Sequence, residues 1–116
     1  MNFLSFKKCT FNWCAQRLTA IVLIPLSFWF IYSLICMASM EHSAIIEWMG
    51  SPFVCALLIF FIISIFYHAQ LGIQEVIEDY VGHETLKTGS IIMLNIVALL
   101  TGLASVFAVL KVFLDL

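Results

Sequence analysis

Charged residues are scarce in this chain of 116 residues. Asp, Glu, Lys and Arg together make up 10% of the sequence and hydrophobic residues 64%, whereas an ordinary soluble domain is roughly 25% charged. This composition excludes a soluble globular enzyme. The few charges also lie close together along the chain, so that three stretches of 23 or 24 residues have none: residues 18–40, 51–74 and 88–110.

Each uncharged stretch is long enough to cross a bilayer as a helix, which takes about 20 apolar residues. The pieces of chain between them are too short to fold as separate domains. The sequence therefore predicts an all-α membrane protein, a single domain over residues 1–116 with three transmembrane helices at residues 18–40, 52–81 and 88–110. No room remains for a nucleotide-binding or nucleic-acid-binding module, so the expected surroundings are a lipid bilayer and no nucleic acid.

The positions of the basic residues predict the orientation of the chain. Lys7, Lys8 and Arg17 precede the first span and Lys87 lies between the second and third, whereas Lys111 alone follows the third. Because basic residues concentrate in cytoplasmic segments, we expect a cytoplasmic N-terminus and an outside C-terminus. No Arg-rich and Ser-rich transit peptide precedes the first span, which favours a multi-pass protein of the bacterial cytoplasmic (inner) membrane.

The four cysteines, Cys9, Cys14, Cys36 and Cys55, follow no metal-binding or disulfide pattern, since no CxxC occurs. Small apolar packing residues are the expected role. We also expect Asn95, the one strongly polar residue of the third span, to hydrogen-bond a neighbouring helix.

His68 is an ionisable side chain within an apolar run. Such groups are unfavourable inside a membrane, so a functional role is the first hypothesis. Ser64 and Gly72 lie four residues before and after it, on the same helix face, and their small size clears space around the imidazole. A haem bound through the His nitrogen needs this clearance. A His packed against another helix and hydrogen-bonded there has similar neighbours, so the column by itself leaves both interpretations open.

The same helix face continues beyond His68. Gly72, Glu75 and Asp79 follow at spacings of 4, 3 and 4 residues, which places Asp79 about 16 Å from His68 along the helix axis. Asp79 and Tyr80 have two interpretations. They form a solvated helix end with an interfacial tyrosine, or the phenol donates a hydrogen bond to a quinone carbonyl and the carboxylate relays protons.

Arg17 lies at the cytoplasmic start of the first span, on the same predicted side as Asp79 and Tyr80. One role for it is that of a positively charged anchor. The other is to pair with carboxylates such as haem propionates, which suit a forked guanidinium.

Two motifs resemble the small membrane-anchor (D) subunit of succinate dehydrogenase, respiratory complex II. The first is the run Arg-Leu-Thr-Ala-Ile-Val-Leu at residues 17–23, preceded by Trp13 and Gln16. The second, and the more specific, is His68-Ala69-x-x-Gly72 with Asp-Tyr eleven and twelve residues after the His. The resemblance covers the whole three-span chain in order.

This resemblance implies that the chain is a cytochrome b-type anchor in which His68 is one axial ligand of haem b. It also implies that Tyr80 hydrogen-bonds ubiquinone near the cytoplasmic face, that Asp79 supports this site, and that Arg17 lies near the haem propionates or the quinone. Electrons reach the quinone from succinate through a flavoprotein and an iron-sulfur subunit in this family. The anchor itself performs no succinate chemistry.

The second haem ligand has to come from a partner. His42 and His83 lie in predicted loops on opposite sides of the membrane, so neither reaches the depth of His68. We expect a larger cytochrome b anchor subunit to supply it, with a homodimer as the weaker alternative. Two other functions stay open: a fumarate reductase-type anchor, and a non-redox membrane scaffold in which His68 serves only for packing.

Overall fold

The computed structural model describes residues 3–115, with side chains from residue 10 onward. Four helices form this part of the chain: α1 (Phe3–Met37), α2 (His42–Met49), α3 (Pro52–Tyr80) and α4 (Glu84–Phe113). No strand occurs among the described residues, which confirms the predicted all-α class. The side chains of Lys7, Lys8 and Cys9 lie outside the described part, and their predicted roles stay predictions.

Three helices are long and apolar enough to cross a membrane: Thr10–Met37 within α1, and the whole of α3 and α4. They confirm the three predicted spans. α1 begins well before residue 18, because Lys and Arg interrupt an apolar run but are good helix formers. Its 35 residues give a length of about 52 Å, so α1 extends beyond a hydrocarbon core of about 30 Å.

α3 begins at Pro52 and ends at Tyr80, close to the start of α4. Pro52 occupies the first turn, where its missing N–H is no loss. α3 ends at Tyr80, and residues 81–83 connect it to α4. The Nδ1 atom of His83 accepts a hydrogen bond of 3.3 Å from the main-chain N–H of Leu86, which caps α4. Tyr80 and the start of α4 are therefore close neighbours.

Residues 41–50, which connect the first two predicted spans, form α2 over most of their length. This helix packs against α3 and α4. Its Trp48 also stacks on Trp29 of α1, with the ring centroids 6.0 Å apart. The eight residues of α2 are too few to show a helical period in the sequence, which is why the helix was not predicted.

The interior of the bundle is uneven along its length. α3 is the central helix and packs against both α1 and α4. At the end that carries α2, which we call the apolar end, the core consists of aliphatic, cysteine and aromatic side chains, among them Val54, Leu58 and Val109. At the opposite end, formed by residues 10–20 of α1 and 68–80 of α3 and called the polar end, side-chain hydrogen bonds connect the helices.

Small and polar residues of α4 join it to α3. The ring of Phe66 lies 3.8 Å from where a Cβ at Gly102 would stand, so the two helices pack closely there. The Nε2 group of Gln70 donates a 2.7 Å hydrogen bond to Oδ1 of Asn95. The predicted hydrogen bond from Asn95 to a neighbouring helix is thus confirmed.

Candidate functional site

His68 lies in the polar end, where α3 faces α1. Its ring nitrogen Nδ1 is 2.9 Å from Oγ1 of Thr19. The Thr19 hydroxyl is also 2.7 Å from the main-chain oxygen of Ala15, one turn earlier in α1. No hydrogen bond within the described part of the chain engages Nε2 of His68. The imidazole is therefore held on one side by a neighbouring helix and keeps one nitrogen for another partner.

A groove lies beside His68 along one face of α1. Its volume is about 370 Å³, within the range of roughly 300–1,000 Å³ found for small-molecule sites. Apart from His68, all the residues that line it belong to α1: Ala20, Leu23, Ile24, Ser27, Phe28 and Ile31. The described chain thus forms one wall of the groove and places an imidazole at its edge.

The two small residues flanking His68 have different environments. Ser64 is buried within the bundle, with 6% of its surface exposed. Gly72 borders open space, since a Cβ built there meets no atom within 4 Å outside its own helix. Gly72 therefore borders open space on one side of the imidazole, whereas the groove lined by residues 20–31 of the antiparallel α1 extends toward the Ser64 side. The predicted clearance roles of Ser64 and Gly72 both stay predictions.

Arg17 continues the face of α1 that carries the groove. Residues 17, 20, 24, 27 and 31 follow one another at spacings of three or four, so they lie on one side of the helix. The guanidinium of Arg17 stands over the ring of Trp13, with Cζ 5.2 Å from the ring centroid. The Arg17 side chain is exposed apart from this cation–π contact.

A second connection between α1 and α3 lies nearer the end of the bundle. The Nε2 group of Gln16 donates a 2.8 Å hydrogen bond to Oε2 of Glu75, and Nε2 of Gln74 donates to Oε1 of Glu78 at 3.0 Å. These groups border a small cavity of about 140 Å³ that Trp13 and Leu71 also line. His68 and Glu75 of the predicted stripe along α3 both contact α1.

Asp79 and Tyr80 close α3 at the polar end. Both side chains are exposed, and Tyr80 has 83% of its surface uncovered. An uncovered tyrosine at the end of a membrane helix fits both predicted interpretations, the interfacial tyrosine and the hydrogen-bond donor to a ligand. The structure brings Arg17, His68 and Tyr80 to the same end of the bundle, but within this chain it pairs none of them with another.

The other histidines lie far from His68. His42 opens α2 at the apolar end, and His83 caps α4 beyond the end of α3. His68 is separated from Tyr80 by twelve residues of helix, or about 18 Å. Among the described residues, then, neither His42 nor His83 brings a second imidazole to His68.

The Cys14 and Cys36 thiols are exposed and that of Cys55 is buried in the apolar end, and all three are free.

Two site residues were not predicted to contact α3. Thr19 and Gln16 both occur in the first motif, but their partners are 49 and 59 positions away in the sequence. The available signal was that Thr19 and His68 are polar residues in separate uncharged stretches, where polar groups seek partners across helices.

Fold and site together define a small helical membrane subunit with an imidazole at the edge of an open groove, of which the described chain forms one wall. Residues 2–110 match the model of the succinate dehydrogenase/fumarate reductase transmembrane subunit family. The chain belongs to this family, as the two motifs indicated. It is accordingly a membrane-anchor subunit of an oxidoreductase complex and a multi-pass protein of the bacterial inner membrane.

Similar proteins share most of the chain's length. The succinate dehydrogenase hydrophobic membrane anchor subunit of Rickettsia conorii is 38% identical over 106 residues, which cover 90% of this chain and 83% of that protein. The corresponding subunit of Rickettsia bellii is 34% identical over 105 residues, covering 90% and 84%. That of Rickettsia felis is 38% identical over 98 residues, covering 84% and 81%. No solved structure matches the chain.

Proposed function

We propose that this chain is the small membrane anchor of a succinate:ubiquinone oxidoreductase. In this complex it supplies one axial ligand of haem b and part of the site where quinone is reduced. The observation that carries the proposal is the environment of His68, which is held through Nδ1 by Thr19 and lines an apolar groove that this chain leaves open.

The residues around His68 fit a haem. When bound, haem supplies a one-electron redox group. His68 is the ligand, through the nitrogen that has no partner in the described chain. The apolar face of α1 shields the macrocycle from water, and Gly72, one turn beyond the imidazole, borders open space. Arg17, at the end of that face, pairs with the propionates, since a guanidinium binds carboxylates in a forked geometry.

A partner completes the haem site. His42 and His83 lie too far away to serve, and the groove has a wall on one side only. A larger cytochrome b anchor subunit supplies the second ligand and the opposite wall. A second copy of this chain is the alternative, which the stoichiometry of the purified complex distinguishes.

The quinone-reduction site lies at the polar end. Tyr80 donates a hydrogen bond to a carbonyl oxygen of ubiquinone, for which its exposed phenol is available. Asp79, the residue before it, orders or relays the protons that quinone reduction consumes. Arg17 and Lys87 lie at this end and Lys111 at the other, so the polar end faces the cytoplasm.

The flavoprotein and iron-sulfur subunits dock at the same end. α1 extends beyond the hydrocarbon core there, and the carboxylates of Glu75, Glu78 and Asp79 are exposed. Succinate is oxidised in the docked subunits, and this chain places the quinone and the haem ligand within their reach.

The test is an optical spectrum of the detergent-purified complex, first oxidised, then with succinate, then with dithionite. Wild type, His68→Ala and His42→Ala are compared, the last being an exposed histidine of the apolar end. We expect a b-type signal that succinate reduces, that His68→Ala loses and that His42→Ala keeps.

Other results contradict the proposal. An assembled complex without haem, or one in which His68→Ala leaves spectrum and quinone reduction unchanged, indicates a haem-free anchor or a scaffold. Faster fumarate reduction by a low-potential quinol than succinate oxidation by ubiquinone indicates the fumarate reductase-type anchor.

A further inference from the structure

The hydrogen bonds around His68 assign a role to Thr19. We infer that Thr19 is a positioning residue, whose hydroxyl keeps His68 in the tautomer with the proton on Nδ1 and so presents an unprotonated Nε2 to the iron. The inference rests on the proposed function, because it requires His68 to be the haem ligand. It adds a residue of α1 to a site whose ligand comes from α3.

The direction of the hydrogen bond follows from counting protons. A threonine hydroxyl has one proton to donate and lone pairs to accept. Its oxygen lies 2.7 Å from the main-chain oxygen of Ala15 and 3.1 Å from that of Gln16. Carbonyl oxygens only accept, so the single hydroxyl proton points toward them.

In the contact between Thr19 and His68, the imidazole must then be the donor. With its proton engaged, the Thr19 oxygen accepts the 2.9 Å hydrogen bond, and Nδ1–H of His68 donates it. A neutral imidazole carries its proton on one nitrogen only. Nε2 therefore has a free lone pair, which is what a metal requires of a histidine.

The position of Thr19 makes this arrangement stable. Threonine hydroxyls in helices bond the carbonyl one turn earlier, which fixes the side-chain rotamer. Thr19 and His68 are both partly buried between α1 and α3, so water competes little for the bond. The nearby amide of Gln16 is engaged with Glu75, which leaves the Thr19 hydroxyl as the partner of Nδ1.

An uncharged acceptor also has an electronic effect. Groups that accept from the second nitrogen of a metal-bound histidine set its orientation and raise its basicity. A hydroxyl does so less than a carboxylate. Removing the Thr19 hydroxyl makes the imidazole a poorer electron donor, which raises the reduction potential of the iron. It also leaves the imidazole ring free to rotate.

The experiment compares Thr19→Val, which keeps the shape and removes the hydroxyl, with Thr19→Ser, which keeps the hydroxyl. Thr101→Val is the matched control, because the Thr101 hydroxyl makes the same bonds to Val97 (2.6 Å) and Ala98 (3.3 Å) without a histidine. In the purified complex we measure haem per copy of this chain, the midpoint potential, and the electron paramagnetic resonance g values of the oxidised haem.

We expect Thr19→Val to retain haem about 10- to 100-fold more weakly, as for other lost partners of metal-bound histidines. The remaining haem should show a raised midpoint potential and altered g values, whereas Thr19→Ser and Thr101→Val should match wild type. If Thr19→Val does not assemble, the result for Thr19→Ser tests the role of the hydroxyl. Normal assembly and spectra in the serine variant support the role of the hydroxyl, and equal failure overturns it in favour of methyl packing.

Two further outcomes separate this inference from the proposed function. Unchanged haem content, potential and g values in Thr19→Val, with haem still lost in His68→Ala, overturn the role of Thr19 alone. Haem retained in His68→Ala, or absent from the wild-type complex, overturns the proposed function itself.

Discussion

The side-chain amide of Gln16 donates a 2.8 Å hydrogen bond to the carboxylate of Glu75, joining α1 and α3 across 59 positions of sequence. Thr19, three residues further along α1, contacts His68, seven residues earlier on α3. The two contacts run in opposite directions along the two helices, as antiparallel neighbours require. Together they set the register of α1 against α3, and with it the place of His68 beside the groove.

The contribution of the Gln16–Glu75 contact can be measured with a double-mutant cycle. We expect Gln16→Leu to lower the free energy of unfolding of the assembled complex by about 0.5–1 kcal/mol, because the bond is exposed and partly replaced by water. In the Gln16→Leu background, Glu75→Leu should lower the free energy of unfolding little further, because Glu75 has already lost its partner. Denaturant titration followed by haem absorbance measures this. Asn12→Leu, in the same cavity, is the control, and additive effects of the two substitutions contradict the coupling.

Tyr80→Phe tests the quinone site. Removing the hydroxyl takes away one hydrogen bond to the quinone, which corresponds to a loss of about tenfold or more in quinone reduction. Succinate oxidation with a soluble dye acceptor should be retained, because the docked subunits are untouched. Tyr32→Phe changes a similarly exposed tyrosine of the apolar half of α1 and should alter neither activity. Equal loss of both activities in Tyr80→Phe contradicts a local role.

Arg17→Lys separates a forked carboxylate contact from a simple positive charge. Lysine keeps the charge that orients the chain but lacks the planar fork. We therefore expect an altered haem midpoint potential or quinone KM with normal membrane insertion. Lys87→Arg, the reverse exchange at the same end, should change neither. If Arg17→Lys has the potential and kinetics of wild type, Arg17 is an orientation anchor only.

Gly72→Leu tests the space beside the imidazole. Apart from the adjoining helix backbone, no described atom lies within 4 Å of a Cβ at Gly72 or at Gly89 of α4. A larger residue therefore fits both helices, and replacing glycine favours the helix by up to about 1 kcal/mol. We expect Gly72→Leu to assemble but to lose most of its haem, because the side chain fills the clearance. Gly89→Leu should keep its haem. Equal haem content in the two variants rules out the clearance role.

Much of the fold follows from the distribution of charges. Three uncharged stretches predicted three spans, the second of them beginning at residue 52, as α3 does. The early start of α1 was missed, because charged residues end an apolar run without ending a helix. α2 was missed because its helical form depends on packing against α3 and α4 rather than on its own eight residues.

The candidate site was predictable only within one helix. The spacing of His68, Gly72, Glu75 and Asp79 placed them on one face, and Asn95 was expected to bond across helices. The identity of each partner was not predictable, because it depends on how far one helix is shifted along its neighbour. A shift of a single turn moves Thr19 by about 5.4 Å, which is enough to remove its contact with His68.

The uneven interior of the bundle determines where the helices can separate. At the apolar end, stacked tryptophans and branched side chains interlock around Val54 and Leu58, and parting them exposes densely packed surface. At the polar end the outermost connection between α1 and α3 is the exposed hydrogen bond of Gln16 to Glu75, which water or lipid headgroups can replace. Separating α1 from α3 therefore exposes more densely packed surface at the apolar end than at the end that carries Tyr80.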